Sequence, residues 1–334
     1  MLDIKDMRDR LTSGADIRQL VWENLKSTKI SIGQLDPNGL CNAGCWFCPV
    51  KHEGNPQGGI GQMEPDDLEA VLASIRGSTV AENFNFMYTA HYNEVLLYKH
   101  FDKMLNAFRS QGFSTMVLSN GTTMTPAKTD LVMENSDVAV HVALNIPSLD
   151  KERWIKQAGF NESVYNVMLR NLKYLHEHTT VPVKVLVNCM TEIFAGDVLP
   201  NGIMTPRTTA LETVKQFNDQ FPKFTVDLID GLVDRAGWLT DAGVLKNQRA
   251  LMLPSQQVIG CDHDLLRGSR LYSWLHVNAN GDVFICCDDY KMEYKFGNLK
   301  KQSLDNVWLS HKHVDMIIAA FNSLCRRCAH HIVR

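Results

Sequence analysis

The chain has no apolar run long enough to cross a membrane and no large excess of charge of either sign. Apolar stretches such as Val181–Val187 are interrupted by Pro182 and Lys184, and a membrane-spanning helix needs about 20 apolar residues. The formal net charge of −3 gives no reason to expect a nucleic acid or an anionic membrane as a partner. The first ten residues carry six charges and no apolar core, so they do not form a secretory signal. These absences predict a soluble, cytoplasmic protein.

Cysteine is the residue type that the chain has in excess. The 334 residues, 45% hydrophobic and 21% charged, fit one large α/β domain with an appendage, or two domains. Nine cysteines without an export signal do not predict disulfides, because the cytosol keeps thiols reduced. Seven of them fall into a first cysteine group, Cys41, Cys45 and Cys48, and a second cysteine group, Cys261, Cys286, Cys325 and Cys328. Such groups indicate metal sites, and Cys189 and Cys287 are left over.

Strand-like and helical patterns alternate from about residue 29 to residue 230. The predicted strands are Lys29–Gln34, Asn83–Tyr88, Phe113–Ser119, Val138–Asn145, Val181–Asn188 and Phe224–Ile229. The predicted helices are Asp66–Ile75, Val95–Ser110, Pro126–Met133, Val164–Glu177 and Thr209–Gln220. This order predicts an α/β fold with a mainly parallel sheet, either open or curled into a full or partial barrel. In both cases ligands bind at the carboxyl ends of the strands.

The alternation ends after Asp230, and a domain boundary is expected near Gly237. We therefore expect a helical lead-in at residues 1–28, a barrel at 29–236 and a smaller domain at 237–334. In the smaller domain, a hairpin is predicted from 271–277 and 283–287 around an Asn-Ala-Asn-Gly turn. A helix is predicted at Ser303–Phe321.

The first cysteine group directly follows the first predicted strand. Three thiolates in eight residues can converge on one soft metal centre. A 4Fe–4S cube held by three cysteines leaves one iron open for a substrate or cofactor. The spacing C-x3-C-x-aromatic-C, with Phe47 as the aromatic residue, resembles the cluster motif of radical S-adenosylmethionine (SAM) enzymes. The alternative is a zinc site that His52 completes.

The resemblance implies a fold and a chemistry. The fold would be a partial (β/α)6 barrel of the radical SAM type. In that family the open iron binds the amino and carboxylate groups of SAM. An electron from a low-potential donor such as flavodoxin or ferredoxin then cleaves SAM to a 5′-deoxyadenosyl radical, which abstracts a substrate hydrogen.

Further residues resemble the family's SAM-binding segments. The segment 92–97, Tyr-Asn-Glu-Val-Leu-Leu, resembles the family's Gly-Gly-Glu-Pro-Leu-Leu, which contacts the SAM amino group. Both glycines and the proline are replaced, so the resemblance rests on Glu94, with Asn93 beside it. The other residues expected to contact SAM lie at the ends of later strands: Ser119, Asn120, Asn145 and Asn188. Without the resemblance, Glu94 would be a helix N-terminal acid and Asn120 part of an ordinary Asn-Gly turn.

The second cysteine group combines a hairpin cysteine with a distant C-x2-C. This arrangement resembles the twitch domain, the abbreviated form of the SPASM domain, and four cysteines suffice for one auxiliary 4Fe–4S cluster. A structural zinc held by four cysteines is the alternative. Cys286 and Cys287 are expected to point to opposite faces of a strand. The family's spacing selects Cys286 as the ligand, and Cys287 is the alternative.

Two clusters in one chain indicate electron transfer, and in related enzymes the auxiliary cluster can accept an electron from the substrate radical. Such an oxidation needs a base, and the candidates are His91, His141, Lys184, Arg235 and Asp288. An epimerisation needs a hydrogen donor, which Cys189 or Cys287 could supply. Of all these, we single out Cys189, Cys287, His91 and Asp288 as candidate catalytic residues.

Two classes of substrate remain open. One is a ribosomally made peptide, modified at a side chain or α-carbon by crosslinking or epimerisation. The other is a small polar metabolite, such as an aminocyclitol or a sugar alcohol, oxidised to a ketone. Residues 1–28 are too short for the leader-binding domain of many peptide-modifying relatives, which weighs against the peptide. The family uses this architecture most often on peptides, however, and the resemblance therefore favours the peptide. A hypothesis of another class is a zinc-stabilised scaffold without catalytic activity.

Overall fold

The computed structural model describes residues 3–56, 61–190, 196, 199–246, 252–253 and 255–334. The strands are β1 (Ile32–Leu35), β2 (Phe86–Tyr88), β3 (Ser114–Ser119), β4 (Ala139–Asn145), β5 (Val183–Cys189), β6 (Phe224–Asp230), β7 (Val258–Cys261), β8 (Trp274–Val277), β9 (Asp282–Phe284), β10 (Lys295–Asn298) and β11 (His331–Val333). Nine of them form one sheet in the order β10-β9-β8-β1-β2-β3-β4-β5-β6, and β11 pairs with β7.

The helices flank this sheet. They are α1 (Ile4–Thr12), α2 (Ile17–Ser27), α3 (Pro49–Glu53), α4 (Pro65–Arg76), α5 (Phe101–Ser110), α6 (Pro126–Glu134), α7 (Lys151–Ala158), α8 (Glu162–His178), α9 (Arg207–Gln220), α10 (Trp238–Asp241), α11 (Arg270–Ser273), α12 (Leu304–Trp308), α13 (His311–Phe321) and α14 (Leu324–Arg327). Short 3-10 turns span Val95–Leu97 and Leu265–Arg267. In the described part of the chain, no helix is both long and apolar enough to cross a membrane.

Strands β1 to β6 pair in parallel and in chain order. Because parallel crossovers are right-handed, sequential order places the connecting helices on one face of the sheet. The six predicted strands and the mainly parallel α/β fold are confirmed. Within the described residues the sheet does not close into a full barrel, since β6 and β10 are its two ends.

Side chains alternate between the two faces of this sheet. On the helix-covered face, Met87, Val117, Val142, Val185 and Val187 are buried in the main hydrophobic core. On the open face, the side chains are partly exposed: Tyr88, Met116, His141, Lys184 and Asn188. Among the described residues, the open face is therefore the side of the sheet that a ligand can reach.

The predicted hairpin is confirmed as β8 and β9, and it extends the barrel sheet. Strand β8 pairs antiparallel with β9 and parallel with β1, so one sheet runs through both parts of the chain. In the turn, Gly281 has φ +80° and donates its N–H to the Asn278 carbonyl over 2.8 Å. The domain boundary near Gly237 stays a prediction.

Three helix predictions differ from the structure. The helix expected at Val95–Ser110 is a 3-10 turn followed by α5, and α7 was not predicted. The helix expected at Ser303–Phe321 is divided into α12 and α13. Ser310 causes the division, because its side chain caps α13 by accepting from the His313 N–H over 3.1 Å.

The lead-in forms two helices that pack on the C-terminal part of the chain. Arg8 donates to the Val333 carbonyl over 2.9 Å, and Arg334 donates to the Leu11 carbonyl over 2.9 Å. Trp22 of α2 stacks on His311 at the start of α13, with ring centroids 5.5 Å apart. The two lead-in helices thus pack against α13 and the C-terminal residues of the chain.

Candidate active site

The first cysteine group lies on the loop that leaves the carboxyl end of β1. The loop pairs with the last turn of α7: Gly44 donates its N–H to the Ala158 carbonyl over 3.0 Å, and Trp46 donates to the Gln157 carbonyl over 3.0 Å. Gly159 ends α7 with φ +73°, and a Cβ at this position would lie 2.5 Å from the Gly44 oxygen. Gly159 therefore allows the loop to approach the helix end closely.

The three thiols of this loop lie close enough to influence one another's ionisation. Burial raises the pKa of Cys45, and Cys48 and Cys41 raise it further. Burial also raises the pKa of Cys48 to about 11, and Cys41 contributes to the same shift. Thiols that resist ionisation together become thiolates when a cationic centre binds them. Three soft donors of this kind fit an iron–sulfur cluster.

His52 does not complete this donor set. Its Nε2 atom lies 2.8 Å from the Trp46 carbonyl oxygen, so the ring is engaged with the backbone of the loop. The geometry gives no support to a zinc site of three cysteines and His52.

Glu94 lies beside the cysteine loop, because its N–H donates to the Leu40 carbonyl over 2.7 Å. One carboxylate oxygen accepts from the Asn120 N–H over 2.8 Å. The other is buried and forms no hydrogen bond of good geometry with a described residue. Burial raises the pKa of Glu94, and the Asn120 N–H opposes that rise, with smaller contributions from Thr123, Ser119 and the Leu96 N–H. A buried carboxylate oxygen without a partner fits a cationic group such as the amino group of SAM.

Asn120 and Ser119 build the loop that supports Glu94. The Asn120 amide oxygen accepts from the Thr122 N–H over 3.0 Å, and its amide nitrogen donates to the Asn42 side chain over 2.8 Å. The Ser119 hydroxyl accepts from the Gly121 N–H over 3.1 Å. Asn120 therefore connects the β3 loop to the cysteine loop, and both polar ends of its side chain are already bonded.

The other predicted SAM-binding residues differ in what their side chains do. Asn93 bonds within its own loop, to the His91 N–H and the Thr89 carbonyl. Asn145 and Asn188 lie on the open face near the carboxyl ends of β4 and β5. The Asn145 amide oxygen is buried without a hydrogen-bond partner among the described residues, so it has capacity for a ligand.

The second cysteine group converges on one cavity of about 410 Å³, part of it open to solvent. Cys261, Cys286, Cys325 and Cys328 all line it. Burial raises the pKa of Cys261 to about 11 and that of Cys328 to about 12. Among the described residues, no three His, Cys, Asp or Glu side chains are placed to hold a single metal ion. Four thiols around one cavity fit a cluster.

Cys286 and Cys287 lie beyond the end of β9 at Phe284 and their side chains hydrogen-bond to each other, so they do not point to opposite faces of a strand as expected. Cys286 lines the cavity. The Cys287 sulfur accepts a hydrogen bond from Arg270. The Cys287 carbonyl bonds to His91 Nε2 over 2.6 Å and accepts from the Tyr92 hydroxyl over 3.2 Å. These contacts place Cys286 at the cavity and hold Cys287 against the loop that precedes Glu94.

Comparison with known proteins decides the family. The model of the radical SAM superfamily matches residues 37–196, and the model of the iron–sulfur cluster-binding SPASM domain matches residues 269–329. The chain belongs to the radical SAM superfamily. Its cofactors are accordingly SAM, a 4Fe–4S cluster and auxiliary iron–sulfur in the SPASM domain. No curated protein matches the chain.

Solved structures with TM-scores above 0.5 show the same fold at low sequence identity. SuiB of Streptococcus suis bound to the precursor peptide SuiA is 13% identical with a TM-score of 0.54, covering 93% of this chain and 73% of that one. The enzyme anSMEcpe with AdoMet and the Kp18Cys peptide is 14% identical with a TM-score of 0.56, covering 90% and 88%. BtrN with AdoMet and 2-DOIA is 15% identical with a TM-score of 0.46, covering 90% and 92%.

Between the two cysteine groups of this radical SAM protein lie two tyrosines that the sequence did not assign to the site, together with the predicted residues Arg235 and Asp288. The Tyr92 and Tyr290 rings meet edge to face, with centroids 4.9 Å apart. Arg235 pairs with Asp288 over 3.4 Å, and Asp288 lines the second cavity. The Arg235 charge also opposes the rise in the pKa of Cys48 that burial causes. The sequence offered one signal for Tyr92, since this bulky residue stands where the family motif has glycine.

The candidate catalytic residues are only partly brought together. His91 and Asp288 lie near Cys287, but burial lowers the pKa of His91 to about 3, so its neutral ring is a weak base. Cys189 lies on the helix-covered face with Val185 and Val187 and is fully buried. The structure therefore does not place the Cys189 thiol on the open face. Lys184 lies near the amino end of β5 and pairs with Asp227 in the middle of β6 over 2.8 Å.

Proposed function

We propose that this protein cleaves SAM reductively and abstracts a hydrogen atom from a substrate C–H bond. The observation that carries the proposal is the unpartnered oxygen of Glu94 beside the loop of the first cysteine group. In this proposal Cys41, Cys45 and Cys48 hold the 4Fe–4S cluster. When bound, the cluster and SAM supply a 5′-deoxyadenosyl radical.

The chain's own residues bind and orient SAM. Glu94 accepts the amino group of SAM with the oxygen that lacks a partner, while Asn120 holds the other oxygen. Asn145 and Asn188 are directed at the nucleoside, because both lie on the open face at neighbouring strand ends. Ser119 and Asn93 shape the supporting loops.

The second cysteine group holds the auxiliary cluster in this proposal. Its ligands are Cys261, Cys286, Cys325 and Cys328, and Cys287 is not a ligand. The substrate lies on the open face between the two cysteine groups. The residues that line this space are Tyr92, Tyr290, Arg235 and Asp288. We assign Asp288 to positioning Arg235 and His91 to holding the Cys287 carbonyl.

We infer that the substrate is a peptide. Among the described strands the open face ends at β6, where Thr225 and Ile229 are exposed. A chain-like substrate can leave the face on this side. Two of the solved structures with TM-scores above 0.5 hold peptides, which supports the same class of substrate.

The cofactor assignment is tested by anaerobic purification and metal analysis. Two 4Fe–4S clusters require about eight iron and eight sulfide per chain. Dithionite and SAM should then release 5′-deoxyadenosine, and replacing Cys41, Cys45 and Cys48 with alanine should remove about four iron and all of that product. Zinc in place of iron would overturn the proposal in favour of the scaffold.

The substrate class is tested separately with the same holoenzyme. Peptide and small-metabolite fractions of an extract are added in turn, and 5′-deoxyadenosine release is compared with the release without substrate. We expect the peptide fraction to stimulate release and to acquire a mass change in one peptide. Stimulation by the metabolite fraction alone would contradict the peptide and favour oxidation of a small polar metabolite.

A further inference from the structure

Arg270 is a buried cation in the wall of the second cavity. It begins α11, is 8% exposed, and lines the cavity with the second cysteine group. One guanidinium nitrogen donates to the Cys287 sulfur and another lies 2.8 Å from His263 Nε2. The guanidinium carbon lies 4.6 Å from the centre of the Trp274 ring. These contacts fix the cation in one position.

Among the described residues, no carboxylate forms a salt bridge with Arg270. The acidic side chain in the cavity wall is that of Asp288, which contributes to the raised pKa of Arg270, but the Nε atom of Arg270 is buried without a hydrogen-bond partner. Leaving part of a buried charge uncompensated is costly. A 4Fe–4S cluster with four thiolate ligands is a dianion when oxidised and a trianion after one-electron reduction. Such a cluster would add negative charge beside the guanidinium, and more of it when reduced.

We propose that Arg270 raises the reduction potential of the auxiliary cluster. A buried positive charge stabilises the more negative, reduced form, because net charge and hydrogen bonding near the sulfurs set the potential of such clusters. The low dielectric of the cavity strengthens this effect. The inference rests on the proposed ligands Cys261, Cys286, Cys325 and Cys328. In it, Arg270 makes the auxiliary cluster a better electron acceptor without binding the iron itself.

The test is a potential, which a purely structural role would not move. The measurement uses the protein with Cys41, Cys45 and Cys48 replaced by alanine, so that only the auxiliary cluster gives a signal. Its one-electron reduction is titrated anaerobically and followed by electron paramagnetic resonance. We expect Arg270→Gln to lower the equilibrium constant for reduction at least tenfold, which is about 59 mV for one electron. Arg270→Lys, which keeps the charge, should retain most of the potential.

The matched control is Arg267→Gln. The Arg267 side chain is 56% exposed and pairs with Asp264, so solvent and salt screen its charge. Its replacement should leave the potential unchanged. If Arg270→Gln loses the cluster, Arg270→Met, which keeps the packing on Trp274, supplies the same comparison.

Two failures are distinguishable. If the protein without Cys41, Cys45 and Cys48 binds no iron, the proposed ligands of the auxiliary cluster are wrong. The part of the proposed function that assigns an auxiliary cluster to the second cysteine group then fails as well. If the cluster is present and Arg270→Gln or Arg270→Met leaves its potential unchanged, the inference about Arg270 alone is overturned. An equal fall for Arg270→Gln and Arg270→Lys would also overturn it, since the charge would then have no role.

Discussion

Replacing Gly159 with alanine tests how the first cysteine group is positioned. A Cβ at Gly159 would lie 2.5 Å from the Gly44 oxygen and 2.9 Å from the Gly44 Cα, so either α7 or the cysteine loop has to move. The left-handed backbone of Gly159 costs alanine about 1 kcal/mol. Overpacking against backbone atoms adds about 2 kcal/mol. We therefore expect Gly159→Ala to lower the free energy of unfolding by about 3 kcal/mol.

Gly112→Ala separates these two costs. Gly112 has φ +68°, close to the +73° of Gly159, but its Cβ would meet only the end of the Arg76 side chain at 3.7 Å. We expect a loss of about 1 kcal/mol for this control. Guanidinium denaturation measures both variants, and iron analysis after reconstitution measures the clusters.

The iron count gives the sharper outcome. Gly159→Ala should lose about four iron per chain, those of the cluster held by three cysteines, while Gly112→Ala should lose none. If both variants lost the same stability and kept all their iron, the contact between Gly159 and Gly44 would not position the cysteine loop.

Three further predictions use other parts of the site. Glu94→Gln should weaken SAM binding at least tenfold, because loss of a charge-assisted hydrogen bond costs about 1.5–3 kcal/mol, and the iron content should stay unchanged. Calorimetry measures the affinity for SAM, and replacement of the exposed Glu64 by glutamine should not change it. Cys328→Ala should remove the auxiliary cluster and Cys287→Ala should not; equal iron loss in both would show that Cys287 is a ligand. Burial lowers the pKa of His313 to about 3, so the unfolded chain alone binds its proton as pH falls from about 7.5 to 5. This group should therefore lower the free energy of unfolding by about 2 kcal/mol over that range. Denaturation of His313→Phe at both pH values should show a decrease that is smaller by this amount.

Local sequence patterns were enough to predict most of the barrel. Each strand is a short β-branched run, and each long helix has its own apolar periodicity, so both can be identified without tertiary contacts. The turn at Gly281 has the same local origin. Helix α7 was missed because it has only eight residues, and its signals were a capping Asp150 and the terminal Gly159.

The orientation of Cys189 could also have been predicted from the sequence. It shares strand parity with Val183, Val185 and Val187, which are the apolar residues of β5. Period-two alternation therefore places its thiol on the helix-covered face. The position of Cys189 at a strand end alone suggested the open face.

The sequence by itself determined the cysteine groups and the order of strands and helices, because these depend on spacing and periodicity along the chain. Tertiary structure alone decided that β8 joins β1 and that His91 and Tyr92 bond to the Cys287 carbonyl. It also decided that Arg270 lies in the wall of the second cavity. These contacts join residues up to 242 positions apart, as between Gln34 and His276, and local patterns carry no information about which distant groups the packed sheet brings together.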